Sequence, residues 1–357
     1  MPFDIPGLRL ANQRISQSSL KTPAEAVAWL GAVQAQDYAG AKWALGLRLP
    51  GSTEADIERA CEAGAILRTH VLRPTWHFVT PADIRWLLAL TATRVHAFNA
   101  TYYRKMELDG PIFARSNAAL EQALRDGNQL TRPELEQVLQ QAGIATHDLR
   151  STLLIMHAEL DGLLCSGARR GRQLTYALLE ERVPPARSLE RSEALAELAL
   201  RYFSSHGPAS IADFTWWSGL TTADALAGLE GLKSRLQQAD LGGRTCYWSA
   251  EPGTPAEPAD SSAFLLPNYD EYMVAYADRS AISVGIDLKA LDGRTEGLLN
   301  NAILLDGQVA GTWRRTITKK AVKIQLRPYR PLSETGMQAI HRAARRYAAF
   351  LELPLLL

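Results

Sequence analysis

Cysteine is scarce in this chain of 357 residues: there are three, Cys61, Cys165 and Cys246. They are odd in number and far apart, which excludes a disulfide framework and a cysteine-built metal centre and leaves inert buried thiols. A run of about 18 apolar residues is absent, so no transmembrane helix and no membrane partner are expected. The opening residues, MPFDIPGLRLANQRIS, lack the basic and apolar regions of a secretory signal. A reducing, cytoplasmic compartment fits these absences. An excess of one charge is missing too: 39 Lys and Arg face 38 Asp and Glu, a formal net charge of +1. There is no glycine-rich phosphate loop, HExxH, G-x-S-x-G or dinucleotide fingerprint. No cofactor and no metal are expected.

What is present is a repeated order of elements. NAALEQALRDGN (117–128), LTRPELEQVLQQAG (130–143) and HDLRSTLLIMHAELDG (147–162) carry apolar residues at helical spacing. The second of them has Thr131 as N-cap, with Pro133 in its first turn and Glu134 three residues on. LLCSGARRGRQLTYAL then reads as a hairpin around a Gly- and Arg-rich turn. Three helices and a hairpin are the order of a winged helix-turn-helix. The order returns over RSEALAELALRYFSSHG (191–207), PASIADFTWWSG (208–219) and TTADALAGLEGLKSRL (221–236). Before it, TPAEAVAWLGAVQAQ and STEADIERACEAGAILRTH read as helical, and residues 65–79 as a strand pair broken at Pro74.

Residues 251–262, EPGTPAEPADSS, read as a linker. Beyond it, apolar runs alternate with turn signals, including a hairpin turn at Asp306-Gly307, and SETGMQAIHRAARRYAAFLEL closes the chain as a helix. The expected fold is α+β, mostly α: three tandem winged helices followed by a β-rich domain with a terminal helix. The expected boundaries are 1–110, 111–188, 189–250 and 251–357.

GAVQAQDYAG (31–40) raises the chemical question. On a helix, Gln34 and Gln36 would point about 200° apart, whereas in extended backbone they share a face. Two amides sharing a face can fix a water without taking its proton, which suits a leaving group that is already activated. The alternative is an exposed polar helix end. Arg73, Trp76 and His77 fall in the predicted strand pair, where a His is commonly a satisfied core residue. Trp216-Trp217 reads as core or as a stacking platform, and NYDEY offers adjacent carboxylates, Asp270 and Glu271, on opposite faces. Basic residues gather in two places: Arg169, Arg170 and Arg172 in GARRGR, and ten Lys or Arg after residue 310 against Glu334 and Glu352. These read as phosphate-binding faces or as solvated surface.

VQAQD, LRTHVLRPTWHFVTPAD, LLPNYDEYMVAYADRS and ILLDGQVAGTWRR, in that order, resemble the winged-helix crosslink-repair DNA glycosylases (AlkZ/YcaQ-like). The resemblance covers most of the chain and carries the same fold of three winged helices and a β-rich domain. It implies a monofunctional DNA glycosylase that hydrolyses the N-glycosidic bond of N7-alkylated purines, interstrand crosslinks included. It also implies a Gln-x-Gln catalytic pair at Gln34 and Gln36, supported by Asp37 and His77. Where the family commonly has Arg-Gly-Thr-x-His, this chain has Pro74 in place of the glycine. Double-stranded DNA is the implied partner, with phosphate contacts expected from Arg73, Arg169, Arg170, Arg172, Arg314, Arg315, Lys319, Lys320 and Lys323. The competing reading is a non-catalytic tandem winged-helix DNA-binding protein or transcriptional regulator. A regulator normally dimerises to read two half-sites. No dimer segment is evident, so a monomer is expected.

Overall fold

The computed structural model describes residues 3–232, 234–250, 261–288 and 301–356. The expected linker at 251–262 lies outside them except for its last two residues. After a first helix, α1 (Ile5–Asn12), one order of elements occurs three times. The first copy is α2 (Pro23–Leu30), β1 (Val33–Gln34), α3 (Tyr38–Gly46), α4 (Glu54–Glu62), β2 (Leu67–His70) and β3 (Trp76–Val79). A long helix, α5 (Ile84–Lys105), leads to the second: α6 (Gly110–Leu124), β4 (Leu130–Thr131), α7 (Arg132–Gln141), α8 (Arg150–Leu160), β5 (Leu164–Ser166) and β6 (Thr175–Leu178). A short helix, α9 (Leu179–Arg182), precedes the third: α10 (Arg191–His206), β7 (Ala209–Ser210), α11 (Ile211–Ser218), α12 (Thr222–Glu230), β8 (Leu236–Asp240) and β9 (Thr245–Ser249). Each copy forms a three-stranded antiparallel sheet in which the short first strand pairs with the last: β1-β3-β2, β4-β6-β5 and β7-β9-β8.

Local chemistry explains how the short strands hand over to helices. Thr131 and Ser210 end a strand and at once cap the next helix, each in a capping box with Glu134 or Asp213. Thr22 caps α2, with Pro23 at its first position. Gly31, at φ 81°, stops α2 after Leu30. The helix expected through Gln36 is therefore shorter, and Gln34 falls on the strand that follows.

Beyond the third copy, the described residues form a five-stranded sheet, β10 (Ala263–Leu266), β11 (Ala302–Leu305), β12 (Gln308–Ile317), β13 (Val322–Pro328) and β14 (Leu355–Leu356), in that order. A one-turn helix, α13 (Glu271–Val274), follows β10, and α14 (Glu334–Phe350) covers the sheet. Asp306 and Gly307 turn β11 into β12 at φ 50° and 75°, the left-handed pair that a two-residue hairpin requires.

The cores do not follow chain order. The first copy shares one with the C-terminal sheet. There Trp43 meets Tyr347 edge-on at 4.9 Å and donates its indole N–H to the Leu265 carbonyl at 2.7 Å. The third copy shares a core with α5, built on Tyr202, Phe203, Phe214 and Trp217. The second keeps a core of its own around Leu120, Leu135, Leu139 and Leu154. Each fully buried side chain of this size contributes about 1.5–3 kcal/mol. The glutamine segment, in the first copy, is thus flanked by two large cores.

Candidate functional site

Gln34 lies on the edge strand β1, opposite His77 on β3. The Ala35 N–H donates to the Trp76 carbonyl at 2.7 Å, which extends the pairing by one residue. The Gln34 N–H points the other way, off the sheet edge, where a buried donor needs an acceptor. The Glu271 carboxylate accepts it at 2.8 Å. The same carboxylate accepts from Trp217 Nε1 at 2.9 Å and lies 3.5 Å from His206 Nε2. Burial alone would raise the Glu271 carboxyl; the His206 ring and the Gln34 N–H outweigh it and hold it below the ordinary value.

Gln34 closes strand β1, and Gln36 stands two residues on, in the bend before α3. Gln34 is buried and Gln36 is exposed. Arg73 Nη2 donates to Gln34 Oε1 at 2.9 Å. A guanidinium has no acceptor, so this contact settles the amide: its oxygen faces Arg73 and its NH2 faces away. The Trp76 N–H reaches Gln36 Oε1 at 3.4 Å. Between the glutamines, the Ala35 carbonyl accepts from Arg68 Nε at 3.0 Å, and the Arg68 guanidinium lies over the Trp76 ring, 4.2 Å from its centre.

His77 is fully buried. Its Nδ1 stands 2.9 Å from the Thr75 carbonyl, which only accepts, so Nδ1 carries the proton and Nε2 is a bare acceptor. Burial first, then the charge of Arg73, push its pKa down to about 3, which makes it neutral at physiological pH. Arg73 Nε, Thr75 Oγ1, Trp76 Nε1 and His77 Nε2 are all buried without a hydrogen-bond partner. Buried polar atoms usually find a partner in protein or ordered water, so these four mark polar capacity beside Gln34 that the described side chains do not use.

Asp37 caps α3, accepting from the Gly40 N–H at 3.1 Å, and its carboxylate lies 3.5 Å from Arg315 Nη2. The wall beside it comes from the C-terminal sheet and the loop after β10. A side chain at Gly40 would put its Cβ 2.8 Å from Asp37 Oδ2 and 3.2 Å from Asn268 Oδ1. Tyr269 takes φ 61°, uncommon for an aromatic residue, and its hydroxyl pKa is raised by burial and then by Asp37.

Gln34, Arg73 and His77 are thus brought together, with Gln36 beside them on the Trp76 N–H, while Asp37 turns to Gly40 and Arg315. The other basic residues stand apart from them. Arg169 is engaged by Glu58 at 2.9 Å and Arg170 by Glu134 at 2.6 Å, while Arg172 is exposed on the β5–β6 hairpin. On the β12–β13 ribbon, Arg314 lies opposite Gln325 and Lys323 opposite Thr316, both exposed, with Lys319 and Lys320 at the tip. The sequence offers Glu271 as one of two adjacent carboxylates and Trp217 as core or stacking platform, not as supports of Gln34, and gives no sign of Arg68. Their roles arise from contacts across the chain, 237 residues in the case of Glu271 and Gln34.

Known proteins share this architecture. The solved structure of Streptomyces sahachiroi DNA glycosylase AlkZ matches with a TM-score of 0.78 over 100% of both chains, at 19% identity, which shows a common fold. The interstrand DNA cross-link repair glycosylase of Streptomyces sahachiroi is 23% identical over 319 residues, covering 85% of each chain. The family described as DNA glycosylase AlkZ-like matches residues 27–350, a span that holds Gln34, Gln36 and every basic residue named above. With nine-tenths of its length matched, from the glutamine segment to the end of the terminal helix, the chain belongs to the AlkZ-like DNA glycosylases.

Proposed function

We propose that this glycosylase releases N7-alkylated purines from duplex DNA, interstrand crosslinks included, and that Gln34 and Gln36 are its catalytic residues. The supporting observation is the placement of Gln34 beside a neutral His77: Arg73 holds its side-chain amide and Glu271 its backbone N–H. N7-alkylation places a positive charge on the purine, so the base leaves without a general acid. Water attacks C1′, the C1′–N9 bond breaks with its electron pair going to the base, and the water's second proton is lost to solvent. Gln34 donates to this water and the exposed Gln36 oxygen accepts from it, leaving a lone pair for C1′. The Asp37 carboxylate supplies negative charge to the oxocarbenium-like sugar. His77 Nε2 accepts a hydrogen bond and does not act as an acid.

The three repeated copies serve as tandem winged helices over 1–110, 111–188 and 189–250, with 251–357 as the β-rich domain. The enzyme works as a cytoplasmic monomer. Arg172, Arg314, Lys319, Lys320 and Lys323 contact phosphates, whereas Arg73 acts chiefly on Gln34. Arg169, Arg170 and Arg315 reach phosphate by exchanging their present carboxylate partners. The test is base release from a duplex carrying one N7-methylguanine. Wild type releases the base, and the Gln34→Ala, Gln36→Ala double variant binds the duplex equally but releases none. Release that survives the double substitution moves the chemistry elsewhere. Binding by wild type without release, on both this duplex and a crosslinked one, refutes the substrate assignment.

A further inference from the structure

A second cluster shares no residue with the glutamine site. His96, on α5, and His157, on α8, converge with Asp161, just past the end of α8, and one ligand atom from each lies within 4.8 Å of the others. His96 Nε2 is 3.3 Å from Asp161 Oδ1, and His157 Nδ1 is 3.0 Å from Oδ2. Ligands at about 2.0–2.1 Å around a tetrahedral ion stand roughly 3.3 Å apart, close to these separations.

Asp161 lies between the two imidazoles. His157 Nδ1 is buried, with Asp161 Oδ2 at 3.0 Å but poorly aligned for a hydrogen bond. Nitrogen and oxygen sit side by side, as donors to a common ion do. Supporting contacts are in place as well. The Tyr103 hydroxyl is 3.1 Å from His96 Nδ1, which orients the ring with Nε2 toward the cluster. Asn117 Nδ2 donates to Asp161 Oδ2 at 2.9 Å, and the His157 ring stacks on Phe113 at 3.7 Å. Such outer contacts fix the rotamers and tautomers of metal-binding side chains.

We propose that His96, His157 and Asp161 bind a divalent late first-row transition metal of the zinc class. Two imidazoles and one carboxylate suit such an ion better than they suit calcium or magnesium, and water completes a four-coordinate shell. The ion staples α5 to α8 and so ties the second repeated copy to the long helix that leads into it. The role is structural and separate from glycosidic hydrolysis.

The test uses the full chain stripped with a chelator and titrated with Zn2+ by calorimetry and with Co2+ by visible absorption. Expected are one ion per chain, intense four-coordinate Co2+ bands, and a Tm raised by about 2–5 °C at a hundredfold excess over Kd. His96→Ala and Asp161→Asn each abolish all three signals, while His147→Ala, which alters an exposed histidine elsewhere, keeps them. The Co2+ spectrum of wild type needs no variant, so a folding defect in one of them does not decide the matter. Absence of stoichiometric binding by wild type, or binding unchanged in His96→Ala and Asp161→Asn, overturns the proposal.

Discussion

Replacing Arg73 by methionine separates two roles that the same residue could fill. As a phosphate contact, Arg73 would add to duplex affinity and to its salt dependence, and its loss would lower the slope of log K against log salt by about 0.9. The geometry points elsewhere: the guanidinium turns inward and donates to Gln34 Oε1 at 2.9 Å. A hydrogen bond from a charged donor contributes about 1.5–3 kcal/mol net. Methionine keeps most of the bulk but frees the amide to rotate, so the water-holding NH2 loses its orientation. Since about 1.4 kcal/mol is a factor of ten in rate, single-turnover base release should slow by about 10- to 150-fold, with affinity and salt slope unchanged. Arg73→Met should add little to Gln34→Ala, because both remove one interaction. The assay is single-turnover release at saturating enzyme, beside duplex affinity over a range of salt. A rate within about twofold of wild type, together with a salt slope reduced by one unit, would refute the positioning role.

Two further outcomes follow from the same structure. Lys319, Lys320 and Lys323 replaced together by glutamine should lower the salt slope by up to about 2.7, equally on damaged and undamaged duplex, while the saturating rate holds; a change confined to lesion-bearing DNA would mean lesion recognition instead. The second concerns His77, whose pKa falls from 6.5 to about 3 on folding. Between those values the unfolded chain takes up a proton that the folded chain refuses, so His77 costs stability as pH falls from 6.5, by at most about 1.4 kcal/mol per unit. Urea unfolding of His77→Phe should lack that part of the acid sensitivity, and an identical pH dependence in both proteins would show that His77 does not titrate as its burial dictates.

Much of the fold was legible because it is written in local chemistry. Thr131 with Glu134, the Asp306-Gly307 turn and the basic terminal helix each act within a few residues, and the structure has all three. Local signals also explain where the reading slipped. Helix α6 starts at Gly110, earlier than the expected 117, although Asp109 and Pro111 offered a cap and a first-turn proline. Helix α2 stops at Leu30 because Gly31 turns left-handed, while the apolar pattern alone ran on through the glutamines. That Gln34 leaves the helix was accessible in outline, since the glycine and small residues around it signal a helix end.

The support of that site was not accessible, and NYDEY shows why. Asp270 and Glu271 are neighbours of the same charge, and both are fully buried. Asp270 takes the Arg48 guanidinium in two bonds, at 2.9 and 3.0 Å, just after α3. Glu271 takes the edge N–H of Gln34, on the strand before α3. Two adjacent carboxylates therefore grip the chain on either side of the Gln-Asp segment, and one short helix, α13, sets the separation between the grips. A buried pair of this kind contributes little net stability but costs about 3–5 kcal/mol when one partner is removed. Its value lies in register: a shift of α13 would pull β1 and the end of α3 together, and the Gln34 amide with them. Nothing in the pattern of charges assigns these tasks, because what a buried carboxylate does is decided by the donor that folding brings to face it.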